Sequence, residues 1–126
     1  MERSLEIQTA IYERLSAELT YPVFDHVPQK TTYPYVNIGE DTVNEDDTQT
    51  YTGMRGTLNI HLWSRKRGRT EIKNMMKDIY VALHRWPVNL SDGNCWELIF
   101  DFADSIMDSD GETRHGIQRF KIMVAR

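Results

Sequence analysis

Between residues 4 and 19 the apolar side chains recur at helical spacing: Leu5, Ile11, Tyr12, Leu15 and Leu19 are interleaved with Glu6, Glu13, Arg14 and Glu18. That period predicts an amphipathic helix. Ser4 is placed to cap it, because its hydroxyl can accept from a free backbone N–H of the first turn. Pro22 stops it, since the residue before a proline is pushed out of the α region. The stretch from Tyr21 to Pro28 then reads as a short extended piece bracketed by prolines, of the kind that suits a sheet edge or a connector. From Tyr35 to Glu40 the period changes to two, with Val36 and Ile38 on one side and Tyr35 and Asn37 on the other. Residues 41–55 break the pattern. They are polar, rich in Asp and Thr, hold Gly53, and predict a long exposed loop or the tip of a hairpin. Thr57 to Trp63 is the cleanest strand, with Leu58, Ile60 and Leu62 facing one way and Thr57, Asn59, His61 and Trp63 the other.

A second helix is predicted from Thr70 to Trp86, with Ile72, Met75, Met76, Ile79, Leu83 and Trp86 on one stripe, Thr70 as cap and Pro87 as stop. Residues 91–94 (SDGN) are turn chemistry. Trp96, Leu98, Phe100 and Phe102 alternate with Glu97, Ile99, Asp101 and Ala103, which predicts a strand with one aromatic face. Asp108 to Gly111 is another turn, and His115 to Val124 a last strand with Phe120, Ile122 and Val124 inward. The order helix, two or three strands, helix, two strands predicts an α+β fold. Its antiparallel sheet has four to five strands, and both amphipathic helices pack on one face. No repeat, low-complexity tract or linker interrupts the chain, so residues 1–126 read as a single domain.

Composition narrows the chemistry. The chain has 126 residues, 15 Lys+Arg against 19 Asp+Glu, a net charge of −4 and one Cys. A lone Cys95 excludes a disulfide framework within the chain and a thiolate metal cluster. No apolar run approaches the roughly 20 residues that cross a bilayer. The opening MERSLEIQ lacks the apolar stretch of a signal peptide, so an unsecreted protein away from membranes is expected. The net charge conceals an uneven layout. Glu40, Asp41, Glu45, Asp46 and Asp47 form an acidic block, and Arg65, Lys66, Arg67 and Arg69 a basic one.

Enzyme signatures are missing. Gly53 and Gly56 lack the strand–loop–helix setting and the Lys of a phosphate-binding loop. There is no Gly-x-Ser-x-Gly elbow. Cys95, beside Trp96 at a strand start, reads as a small packed thiol. His26, His61, His84 and His115 are widely spaced; His61 and His115 lie on strands that can be neighbours, but two ligands do not make a zinc site. Asp108, Asp110 and Glu112 alternate as in a calcium loop, without the downstream bidentate Glu or flanking helices, and read as a hairpin turn. No catalytic residue, metal or cofactor is expected. The alternative function is a small nucleic-acid-binding protein acting through Arg65–Arg69. Against it stand the acidic whole, the lack of aromatic interleaving, and the unfavourable place of Arg69 at a helix N-terminus, with Glu71 as its nearest counter-charge. Trp63, on the polar side of its strand, is a candidate partner anchor.

Five stretches in order carry a family likeness: residues 10–15 (AIYERL), 23–29 (VFDHVPQ), 33–42 (YPYVNIGEDT), 61–65 (HLWSR) and 108–116 (DSDGETRHG). Together they resemble the tail-completion family of long-tailed bacteriophages and prophages, the head–tail joining or tail-terminator proteins. The likeness spans roughly residues 5 to 124, and Asp25, His26, Pro34 and Gly39 match its pattern. The resemblance implies a non-enzymatic structural subunit that forms a ring, typically a hexamer. Such a ring caps the tail tube, docks onto the head connector, and lets DNA pass without specific binding. Its implied place is the head–tail junction of the virion, after assembly in the host bacterial cytoplasm. It carries over no catalytic residue. In that setting Glu40, Asp41, Glu45, Asp46 and Asp47, with Trp63 and Arg65, Lys66, Arg67 and Arg69, are the candidate subunit or partner interface. The acidic and basic blocks would be complementary patches.

Overall fold

A computed structural model describes residues 2–45, 54–91, 93 and 95–124. In chain order the elements are α1 (Glu2–Glu18), β1 (Val23–Phe24), β2 (Tyr35–Glu45), β3 (Met54–Ser64), α2 (Thr70–Leu83), β4 (Pro87–Asn89), β5 (Cys95–Met107) and β6 (Arg114–Val124). The strands form one sheet in the order β1-β2-β3-β6-β5-β4. The fold is α+β, as the pattern predicts, but the sheet has six strands instead of four to five and is mixed, because β1 runs parallel to β2. β4 is too short to leave a periodic signal, while β1 falls within the piece Tyr21 to Pro28 expected as a sheet edge or connector. β1 is held by Val36 N donating to Pro22 O at 2.9 Å, and β4 begins at Pro87, the residue that stops the helix pattern.

The central hairpin is longer than the alternation indicates. Asp41 to Glu45 continue β2, paired with Leu58 back to Met54, because a partner strand supplies the ladder that their polar side chains do not advertise. The predicted loop at 41–55 is therefore strand at both of its ends. Its middle, residues 46–53 with Asp46, Asp47 and Gly53, lies outside the described residues. Two caps also differ. α1 starts at Glu2, so Ser4 lies within it. α2 is preceded by Arg69 with no side-chain cap, while Glu71 in the first turn accepts the Ser64 hydroxyl at 2.6 Å.

Both helices pack on one face of the sheet, although Leu5 and Tyr12 of the predicted first stripe are exposed and Trp86 of the second lies beyond the end of α2. Ile7, Ile11 and Leu15 of α1 and Ile72, Met75, Ile79 and Leu83 of α2 join Val36, Ile38, Leu58, Ile60, Leu62, Trp96, Leu98, Phe120 and Ile122 in one core. Gln118 is buried among them and donates to Met76 O at 3.1 Å. Gly116 lets α2 approach closely: a Cβ there would lie 2.9 Å from Met76 Cε. β5 contains a bulge, because Phe100 pairs with Phe120 but Phe102 with Arg119, leaving Asp101 over. The extra residue turns Phe102 away from the side of Trp96, Leu98 and Phe100, contrary to the uniform alternation of the sequence. It is 39% exposed.

Candidate functional site

The face of the sheet opposite the helices carries the densest polar and aromatic arrangement, and a second bulge builds it. Ile38 pairs with Ile60 and Asp41 with Leu58, so Gly39 and Glu40 share the place opposite Asn59. The bulge re-aims Glu40. Its carboxylate meets His61 Nε2 at 2.9 Å and accepts from Asn59 Nδ2 at 3.2 Å. The His61 ring lies directly over Gly39, where a Cβ would be only 2.3 Å from Cδ2. His61 Nδ1 and His115 Nε2 are 2.7 Å apart.

With Glu40 ionised, His61 Nε2 donates to it. Nδ1 of a neutral His61 is then an acceptor, and His115 donates from Nε2. The bond from His61, more than any other contact, holds the Glu40 carboxyl down to about 2. Burial, and then the neighbouring His61, push His115 below the ordinary histidine value.

An aromatic row continues from the imidazoles. Trp63 stacks on His115 at 3.9 Å and 5° and lies 6.1 Å from Tyr35, which is 5.3 Å from Tyr33. Arg65 closes the row, with its guanidinium 4.3 Å above the Tyr33 ring. Arg65 also donates to Thr113 Oγ1 at 3.0 Å and lies 3.9 Å from Asp110. The Thr113 hydroxyl and the backbone N–H groups of Thr113 and Glu112 hold the Asp110 carboxyl down to about 2. Toward β5, Arg119 donates to Asn59 Oδ1 at 2.9 Å and covers Phe102 at 4.6 Å. Among the described residues no group of three His, Cys, Asp or Glu is placed to hold a metal ion. The arrangement is a cross-braced stripe in which Glu40, His61, His115, Asn59, Arg119 and Arg65 each engage a neighbour.

The predicted site residues fall into three places. Glu40 and Trp63 belong to the stripe, and Arg65 closes it. Asp41 is exposed beyond the bulge, and Glu45 ends β2. Arg65, Lys66, Arg67 and Arg69 lie at the other end of β3, between it and α2. Lys66 and Arg67 border two clefts. One, of about 400 Å³, is shared with Tyr21, Glu71 and Asp78, and the other, of about 290 Å³, with Met107, Glu112 and Arg114. In the first, the Tyr21 hydroxyl donates to Asp78 at 3.2 Å, and burial raises its pKa. The described acidic residues Glu40, Asp41 and Glu45 do not meet the basic turn. At the usual strand rise Glu45, level with Met54, stands about 35 Å from Arg65, and Glu40, beside Asn59, about 20 Å. Tyr33, Tyr35 and His115 were not singled out as one site from the sequence. Their signal is an aromatic or imidazole at alternate positions in 33/35 and 61/63, and only the register shows that these stack.

The model of the family described as tail completion protein gp17 matches residues 9–125, nearly the whole chain. The chain belongs to that family. Tail completion protein gp17 of Bacillus phage SPP1 is 27% identical over 128 residues, covering 96% of this chain and 93% of that protein. The solved structure of bacteriophage SPP1 gp17 shares the fold with a TM-score of 0.64 at 23% identity, covering 100% of this chain and 94% of the other. A chain in the virion of a native gene transfer agent particle shares it with a TM-score of 0.80 at 21% identity, covering 93% and 92%. This gp17-family chain is a structural tail-completion protein of phage and not an enzyme. It is a virion component of the tail region.

Proposed function

We propose that this gp17-family protein is a ring-forming tail terminator of six subunits that caps the tail tube and joins it to the head connector. One observation supports the reading beyond the family: Glu45, at the end of β2, and the basic turn Arg65–Arg69, after β3, stand at opposite ends of a single sheet. With the strands running along the ring axis, those ends become its two faces. The acidic face and the basic face then suit two different partners, the tube protein and the connector protein. Opposite charge on the faces also favours one insertion polarity. The net charge of −4 lets DNA pass through the ring without specific binding. Arg65 supports a structural role for the basic turn, since Tyr33, Thr113 and Asp110 already engage it. Assembly takes place in the host bacterial cytoplasm, and the finished ring sits at the head–tail junction. Tails assembled without this protein test the reading. Electron microscopy should show tubes of uncontrolled length or without heads; normal length with full head attachment would refute it.

A further inference from the structure

The outline of the sheet is stepped on both sides, and the steps match. On one side β1 pairs only with Val36 and Asn37, so β2 is the outermost strand from Ile38 to Glu45. On the other side β4 pairs only with Cys95 to Glu97. Leu98 O and Phe100 N are then taken by Arg85 N at 2.7 Å and His84 Nδ1 at 3.0 Å. From Phe102 to Met107, among the described residues, no strand pairs with β5 on its outer side. The register relates the two sides. Val23 is level with Val36, Leu62, Gly116 and Ser105, and Phe24 with Asn37, His61, Ile117 and Asp104. β1 therefore stands at the same height as the open half of β5. β4, level with Cys95 to Glu97, stands at the end where β2 is outermost.

We infer that β1 of a second copy adds to the outer edge of β5 at residues 102–106, joining neighbouring subunits into one continuous sheet. The proposal rests on the ring reading above and supplies its subunit contact. β1 and β5 run in opposite directions within the sheet, so the new pair is antiparallel. In the level register Phe24 of the copy meets Asp104, flanked on the same face by Phe102 and Ile106, which are 39% and 54% exposed. β4 and the incoming β1 occupy one row between β5 and the neighbour's β2, end to end, so neither blocks the other.

Charge selects the occupant. Asp101 and Asp104 lie along the open edge, and a β5–β5 pairing would set acidic edge against acidic edge. Beside β1 are the exposed His26 and Lys30, while Asp25 accepts from Gln8 at 2.7 Å. The contact joins two different edges, which is the requirement for a ring closed by rotation.

Cross-linking in assembled tails tests it. Residues opposite each other on antiparallel strands have Cβ atoms about 4.5–5.5 Å apart, within reach of a disulfide after small adjustment. Phe24→Cys with Asp104→Cys, in a Cys95→Ser background, should give a non-reducing ladder up to the closed ring, and either single cysteine none. Hydrogen exchange on the unmodified protein covers the case in which the variant misfolds. Amides of 23–25 and 102–106 should both slow by roughly tenfold or more on assembly. A ring seen by electron microscopy with neither ladder nor protection overturns this contact and leaves the ring reading standing. A disulfide from Asp104→Cys alone, or protection of β5 without β1, overturns it in favour of a β5–β5 pair or a different protein's strand. Tails with no ring of this protein overturn both.

Discussion

At Gly39 the backbone of β2 passes under the His61 ring, and that ring is held at both nitrogens, by His115 at 2.7 Å and Glu40 at 2.9 Å. A methyl group there has nowhere to go. Gly39→Ala is expected to destabilise by about 1–3 kcal/mol, the usual range for overpacking, read from urea unfolding. Gly116→Ala is the control. Its Cβ would also be tight, but against the tip of Met76, which can move, so a loss under about 1 kcal/mol is expected. The same stripe sets a pH dependence. His115 titrates lower in the folded protein than unfolded, so its contribution is complete above about 6.5 and is lost as pH falls below that value. Glu40, held down to about 2 from 4.5, contributes above 4.5 and is lost between 4.5 and 2. Melting temperature followed against pH should therefore decline in two windows. His115→Gln should flatten the upper one and Glu40→Gln the lower.

Elements were legible where the chain repeats a period and illegible where pairing decides. The stripe Ile72, Met75, Met76, Ile79 and Leu83 shows at 3.6-residue spacing and is buried against the sheet. Ile79→Ala is expected to cost about 2–5 kcal/mol, while Val81→Ala, on the same helix but 70% exposed, should stay within about 0.5 kcal/mol of the parent. Thermal or urea unfolding of the two variants checks this. The cores of β3 and β6 were equally plain, because one face of each is buried. β4 was not, being three residues long, and the two-residue β1 showed only as the proline-bracketed extended piece around it. The extension of β2 through Asp41 and Thr42 was hidden by polar composition, although Thr42 and Thr57 face each other with hydroxyls 2.7 Å apart. Plain alternation puts Phe102 on the wrong face, because a single extra residue at Asp101 inverts everything after it. Of the candidate site, the charged blocks were visible as sequence runs. The stacking of Trp63 between His115 and Tyr35 depends on three strands in register, which no local pattern encodes.

For the molecule as a whole, the separation of charge matters more than its sum. Lys66→Glu with Arg67→Glu alters only exposed side chains at one end of the sheet, so unfolding should change little while heads fail to join otherwise normal tails. Head attachment counted by electron microscopy, against the melting temperature of the variant, separates the two effects. Small size fits the same picture. On the ring reading a chain of 126 residues is a sufficient building block, and its open sheet edges are the surfaces that would join copies. High-resolution imaging of the head–tail junction of purified particles tests the central claim most directly. The account predicts a ring of this fold between tube and connector, its acidic and basic ends on opposite faces. Isolated subunits, or a ring elsewhere in the particle, would contradict it.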